Sequence, residues 1–247
     1  MTKLYKVDAV VLRARDCGNA DKLLTLFTRE QGKIKAMAHG AGKAASRKRG
    51  AVQPFTRSQF LLRQGREIDS VSQCEGLEMH LHLRENLNRL ACASCLTELV
   101  EVLAPEGESS EALFFLLLES LERMTTVDPE LLTLAFQLKA AALYGYWPEM
   151  EVCAGCRSEL EGPIYFSPAQ GGAVCARCAG AAPGTATPIH RGMVETMKVL
   201  ARWQTSRLHQ LKVDPPLKER LLALLRVYLR YHLEKELKSV DFLKGLE

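Results

Sequence analysis

The sequence is most informative where something is missing. Between Gln31 and Arg66 there is no Asp or Glu, while nine Lys or Arg accumulate: Lys33, Lys35, Lys43, Arg47, Lys48, Arg49, Arg57, Arg63 and Arg66. A field of one sign concentrates polyanions, and a phosphate backbone is the commonest polyanion a soluble protein meets. Aromatic residues are scarce at 6%, so stacking on bases has few side chains to draw on. The apolar run Leu113–Leu118 is far shorter than the roughly 20 residues of a membrane span. Charges at Lys3, Lys6 and Asp8 interrupt any signal-peptide core, and the expected location is cytoplasmic. There is no Gly-Lys-Ser/Thr phosphate loop, dinucleotide fingerprint or nucleophile elbow. Gly40-Ala41-Gly42-Lys43 lacks the hydroxyl residue and the helix that would complete the first of these. No catalytic residue is therefore expected, and no enzyme.

What is present suits a folded protein. A chain of 247 residues, 47% of them hydrophobic, has room for one large or two to three small cores. The net charge of +4 hides an asymmetry: residues 1–80 carry 15 Lys/Arg against 8 Asp/Glu, and the remainder 18 against 21. Anion binding belongs to the N-terminal part.

That part reads as strands. Leu4–Arg15 alternates Val7, Ala9 and Val11 against Asp8, Val10 and Leu12, and Asp16-Cys17-Gly18-Asn19 breaks it. Lys22–Thr28 is extended, although Leu23, Leu24 and Phe27 also fit a helical face. After the turn Arg29-Glu30-Gln31-Gly32, Lys33–His39 alternates so that Lys33 and Lys35 share a face. A loop from Gly40 to Gly50, expected to be mobile, precedes strands Pro54–Arg63 and Glu67–Cys74, joined at Gln64-Gly65-Arg66. Five short antiparallel strands suit a barrel of the oligonucleotide/oligosaccharide-binding (OB) type, whose open face accepts single strands. Of Tyr5, Phe27, Phe55 and Phe60, the second and fourth are expected in its core.

From Glu78 the period becomes helical. Leu81–Val102, a helix capped by Ser109-Ser110 and ending near Met124, and a third from Asp128-Pro129 to about Tyr144 form one bundle. Pro188–Leu208 and Pro215–Lys238 add two helices. The fold class is α+β: a five-stranded OB barrel (1–78), a helical domain in two parts (79–149 and 184–247), and a zinc ribbon (150–183) inserted between them.

The ribbon rests on Cys153-Ala154-Gly155-Cys156 and Cys175-Ala176-Arg177-Cys178, knuckles separated by eighteen residues. Pro163–Ser167 and Gly172–Val174 read as hairpin arms between them. Four thiolates so spaced close tetrahedrally on Zn2+ at about 2.3 Å and leave no open vertex, so one structural zinc per chain is expected. Cys92 and Cys95 lie within a helical pattern and read as buried thiols; His80 and His82 sit about 15–18 Å along that helix, too far to share an ion with them. Cys17 and Cys74 stay unassigned.

Val10-Val11-Leu12-Arg13, Asp21–Thr28, Gly32-Lys33-Ile34-Lys35, Gly40-Ala41-Gly42 followed by Ser46-Arg47, Gln53-Pro54-Phe55 and the hairpin Phe166-Ser167-Pro168-Ala169-Gln170-Gly171-Gly172 together resemble the bacterial RecO family of recombination mediators. The resemblance runs the length of the chain. It implies a non-enzymatic protein of recombinational repair that binds single- and double-stranded DNA, anneals complementary strands, and works with RecR to load recombinase onto DNA coated by single-strand-binding protein (SSB), whose C-terminal tail it accepts. There is no membrane and no small-molecule substrate in this reading. The residues expected on phosphates are Arg13, Lys33, Lys35, Lys43, Arg47, Lys48, Arg49 and Arg57. Two alternatives remain: a scaffold whose basic face meets an acidic protein, and a thiol redox enzyme using Cys92 and Cys95.

Overall fold

The computed structural model describes residues 3–181 and 186–239. Five strands, β1 (Leu4–Cys17), β2 (Asp21–Thr28), β3 (Gly32–Ala38), β4 (Arg57–Arg63) and β5 (Asp69–Glu78), close a barrel in the order β1-β2-β3-β5-β4. Every pairing is antiparallel except β3 with β5, which is parallel over Ala36–Asp69 and Met37–Ser70. At 14 residues β1 serves two neighbours, β4 through Leu4–Val10 and β2 through Ala9–Cys17, and it bends at a register shift between Val11 and Arg13.

The alternation along β1 decides two cores. Val7, Ala9 and Val11 point into the barrel with Leu24, Leu26, Phe60, Leu62 and Val71, whereas Val10, Leu12, Phe27 and Phe55 join the core of the helices. Phe27 meets Phe114 there at 6.1 Å between ring centroids. Both faces of this strand are therefore apolar, the pattern of an element between two cores. Phe55 reaches the helical core from a left-handed backbone (φ 69°), a strained state for an aromatic residue. Arg84 fixes that corner by donating to the Pro54 carbonyl at 2.6 Å, and the burial of the ring offsets the strain.

The segment between β3 and β4 is a chain of turns and not a free loop. Ala41, Ala51 and Val52 are buried against the barrel end, and successive amides of Ser46, Arg49, Val52 and Gln53 donate back along the segment at 3.0–3.3 Å. The expected mobility is thus replaced by anchorage, because apolar residues flank the charges and plug the barrel.

The helices are α1 (Leu87–Leu103), α2 (Glu111–Arg123) and α3 (Pro129–Leu143), N-capped by Asn86, Ser110 and Asp128 respectively. The first begins six residues later than the apolar period suggests. His80 is left-handed, Leu81–Leu83 forms a single 3₁₀ turn, and Asn86 then accepts the Arg89 amide at 3.0 Å. The strap between α1 and α2 lies along β3, where the Gly107 amide donates to the Lys33 carbonyl at 3.1 Å. Gly32 permits this approach; a Cβ there would sit 1.9 Å from the Glu108 carbonyl oxygen.

Next come β6 (Ile164–Ser167), β7 (Gly172–Cys175), the short α4 (Ala176–Ala181) and β8 (Thr187–Ile189), followed by α5 (Arg191–Arg202) and α6 (Pro215–Leu233). Pro188 opens no helix: it sits in β8, which pairs Ile189 with Ile164 of β6. Helix α5 ends at Arg202, with the C-cap Trp203 extended and its carbonyl accepting from the Lys139 ammonium at 2.5 Å, and a 3₁₀ segment Thr205–Gln210 follows. Beyond α6, Glu234 turns left-handed and the amides of Lys238 and Ser239 donate to the Glu98 carboxylate at 3.0 and 2.8 Å. The expected limits at residues 183 and 184 lie outside the described residues. No helix among the described residues is long and apolar enough to cross a membrane.

Candidate nucleic-acid interface and metal centre

The turn-rich segment before β4 begins at a carboxylate. Asp21 accepts the Gly40 amide at 2.7 Å and the His39 ring nitrogen at 2.7 Å, and these bonds, the amide first, hold its pKa below the ordinary 3.8. Gly42 then passes so close to Ala20 that its amide donates to the Ala20 carbonyl at 2.7 Å, and a Cβ would lie 3.0 Å from that oxygen. Farther on, Lys48 donates to the Val71 carbonyl at 2.9 Å, where β5 has run past its short pairing with β3. That bond satisfies a carbonyl the sheet leaves open.

Arg47 and Arg49 flank this anchored lysine. Both are exposed, as is Lys43, and neither guanidinium has a hydrogen-bond or ion-pair partner among the described residues. Arg47 and Lys48 line an open groove of about 470 Å³ together with Lys6, Gln59, Leu61, Gln73 and the exposed Glu75 on the outer wall of β1, β4 and β5, three cations against one carboxylate. Lys6 escaped the sequence reading. Its signal was its parity, opposite to the inward Val7 on a strand already assigned.

The other four expected contacts are engaged within the chain. Arg13 pairs with Glu101 at 2.8 Å and Lys35 with Glu106 at 2.9 Å. The Lys33 ammonium donates to the Glu101 carbonyl at 2.6 Å, and burial lowers its pKa. Arg57 lies between Asp8 (2.7 Å) and Glu78 (2.8 Å), whose hydrogen bonds raise its pKa further. The carboxylate-free stretch is thus not carboxylate-free in space, and the eight candidate cations, seven within it and Arg13 outside, do not line one groove. Lys33 and Lys35 line a second groove of about 440 Å³, and the two linings share no residue.

The four cysteines of the knuckles do converge. Their sulfurs lie within 4.8 Å of one another, with Cys156 and Cys175 at 3.9 Å. The edge of a tetrahedron with 2.3 Å bonds is about 3.8 Å. The donor set holds no carboxylate or imidazole, which suits a soft, closed site. Gly155 is required by the crowding, since a Cβ would stand 3.0 Å from the Cys178 sulfur. The Ser158 hydroxyl and amide, with Arg177, lower the Cys156 pKa to about 5. Hydrogen bonding to the Cys156 sulfur, with burial, pushes Cys178 up to about 12, a mutual opposition that a bound divalent cation reverses. The hairpin is not self-sufficient: Ile164, Phe166, Ala173 and Val174 belong to the same core as the helices, and Phe166 packs on Tyr228 at 5.5 Å.

Cys92 and Cys95 are buried on α1, and burial pushes both thiols up to about 12, which favours the unreactive protonated form. His80 is buried beside Glu78, its nearest carboxylate oxygen 3.7 Å away.

The description "Recombination protein O N terminal" fits residues 1–80 and "Recombination protein O C terminal" fits residues 84–241. The chain is similar to the DNA repair protein RecO of Pelotomaculum thermopropionicum, with 55% identity over 98% of this chain and 94% of that protein. It is also similar to the DNA repair protein RecO of Desulforamulus reducens, with 43% identity over 99% and 95%. For the protein of the same name in Desulforudis audaxviator the figures are 40% identity over 99% and 98%. A barrel joined to helices, a four-sulfur ribbon inserted between them and this similarity from end to end lead to one conclusion: the chain belongs to the RecO family.

Proposed function

We propose that this protein is a DNA-binding mediator of recombinational repair, active at the nucleoid, that pairs complementary strands by neutralising their backbones and uses no catalytic residue. The observation that carries this is a cationic segment anchored on the barrel, in which the exposed, partnerless Arg47 lines an open groove beside Lys48 and the equally exposed, partnerless Arg49 follows in the chain. Counterion release from phosphates needs cations that are not already neutralised, and an anchored segment presents them without an ordering cost. Phosphate contacts are assigned to Lys6, Lys43, Arg47, Lys48 and Arg49; Arg13, Lys33, Lys35 and Arg57 are not part of that surface.

The partners follow the family reading, with RecR as co-mediator and the acidic, apolar C-terminal tail of SSB as ligand. The groove that suits such a tail lies on the helices, where Leu116, Leu143 and Trp147 supply the apolar contact; its cations are already engaged, Lys139 by the Trp203 carbonyl and Arg202 by Glu151, so the apolar lining carries the fit. The ion in the ribbon is zinc in a structural role, held by Cys153, Cys156, Cys175 and Cys178, where it supplies cross-links to a hairpin too small to order itself.

The test is reversal of Arg47, Lys48 and Arg49 to Glu. Oligonucleotide affinity is expected to fall by about tenfold or more, with a flatter dependence on salt. Unchanged affinity and slope would remove the segment from the interface, and binding of an acidic peptide in place of DNA would favour the scaffold. Metal analysis is expected to return one zinc per chain.

A further inference from the structure

Annealing requires two backbones on one molecule, and a single cationic groove neutralises one. The barrel offers a second groove, of about 440 Å³, whose lining includes Lys3, Gln31, Gln64, Arg66, Lys35 and Glu106. Of its three carboxylates, Glu67, Asp69 and Glu106, the last comes from the strap between α1 and α2 and lies on Lys35 at 2.9 Å. The strap is fixed by backbone, through the Gly107 amide on the Lys33 carbonyl and the close passage over Gly32. Glu106 is therefore placed on Lys35 by the fold and not by a wandering side chain.

Strand register extends the surface. Arg13, Thr25 and Lys35 are aligned across β1, β2 and β3, and Arg13 in turn is held by Glu101 at 2.8 Å. Two carboxylates of the helical region thus occupy two positions where this sheet face binds oxyanions. The Lys35–Glu106 pair is open to solvent, with side chains 49% and 64% exposed, and an ion pair of that kind is weak and exchangeable. Of the other two acids in the groove, Asp69 is already engaged by the Tyr5 hydroxyl and the Gly65 amide, and Glu67 is exposed next to Arg66 in the chain.

We infer that the groove beside β3 is a second polynucleotide track, in which the phosphates of a second strand displace Glu106 from Lys35. This rests on the DNA-binding reading above and adds a separate strand to it. The two tracks share no lining residue, so two strands are held by one barrel without competing for the same cations. Glu106 acts as a built-in competitor that keeps the second track closed to weakly held anions.

The experiment uses the full chain and two non-complementary oligonucleotides carrying a donor and an acceptor dye. The intact protein is expected to bind both at once and give energy transfer. Lys35→Glu with Arg66→Glu keeps the first strand, loses the second and slows annealing of complementary strands by roughly tenfold. Glu106→Gln is expected to tighten the second strand by about two- to fivefold, the scale of an exposed ion pair. Glu122→Gln on α2, an exposed change of equal charge, leaves it unaltered. Two-strand binding that survives Lys35→Glu with Arg66→Glu, or a Glu106→Gln protein no tighter than Glu122→Gln, overturns the inference. So does an intact protein that holds only one strand, a result that leaves the first track standing. A protein that binds neither strand overturns the DNA-binding reading itself.

Discussion

Arg57 and Arg49 lie eight residues apart in one basic stretch and meet opposite fates. Arg49 stands exposed with no partner among the described residues, while Arg57 is held by Asp8 from one neighbouring strand and Glu78 from the other. The first is a free positive charge available to a polyanion. The second is one link of a network that ties β1, β4 and β5 together. The contrast shows that a charge count along the chain measures a field only where the fold brings no partner. Strands import their neighbours' carboxylates through register, and a segment of turns on the barrel end imports few.

The strongest way to sharpen that comparison is Arg57→Met. It leaves the Asp8 carboxylate, only 16% exposed, without a counterion, and is expected to cost about 2–3 kcal/mol of stability. The matching fall in Tm is about 4–10 °C. Oligonucleotide affinity of the folded protein should change by less than about twofold, since phosphate contacts act roughly one by one. Thermal melts and titrations on the same preparation check both halves. A large loss of affinity with an unchanged melt would exchange the roles of Arg49 and Arg57.

A smaller effect is expected from Lys33→Met. Its ammonium reaches the Glu101 carbonyl near the C-terminal end of α1, where a cation also meets the favourable end of the helix dipole. Losing that bond should cost about 1–2 kcal/mol, read in urea as a lower midpoint with an unchanged slope. Arg49→Ala serves as its counterpart, with stability within about 0.5 kcal/mol of the parent and a salt slope reduced by about one. If Arg49→Ala destabilises as much as Lys33→Met, the free cation has a structural partner after all.

Much of this architecture was legible in the chain, and the reasons differ by element. The period-two patterns of β1 and β3 hold because each face meets a different environment, and the caps at Ser110 and Asp128 hold because a side-chain oxygen beside an apolar run has a fixed backbone role. The cysteine spacing encodes the metal site because ligand geometry is set by the ion. What sequence does not carry is tertiary partnership. Glu101 lies 68 residues from the Lys33 that its carbonyl holds, and Glu106 lies 71 from the Lys35 it pairs with, counted along the chain. The Lys139 bond to the Trp203 carbonyl likewise joins residues 64 apart, and the packing of Ala41 and Val52 into the barrel core is visible only once the barrel exists.

The finest probe of the contrast is acidification, because the basic segment is pinned by a carboxylate that titrates. Asp21 holds the Gly40 amide and His39, and its folded pKa lies below its unfolded one. Its contribution is therefore complete above the unfolded value and disappears as the pH falls through the folded value, on the acid side of 3.8. Asn at this position keeps an oxygen for the Gly40 amide and loses the charge. Hydrogen exchange at Gly40, corrected for the intrinsic effect of pH, should then show protection declining in acid for the parent and flat for Asp21→Asn. Arg57 and its neighbours on β4 should show no such dependence specific to Asp21, since no bond from that carboxylate reaches them. An identical acid response in the two proteins would mean that the turns and the buried alanines alone hold the segment, and that the cations above the groove owe their position to packing.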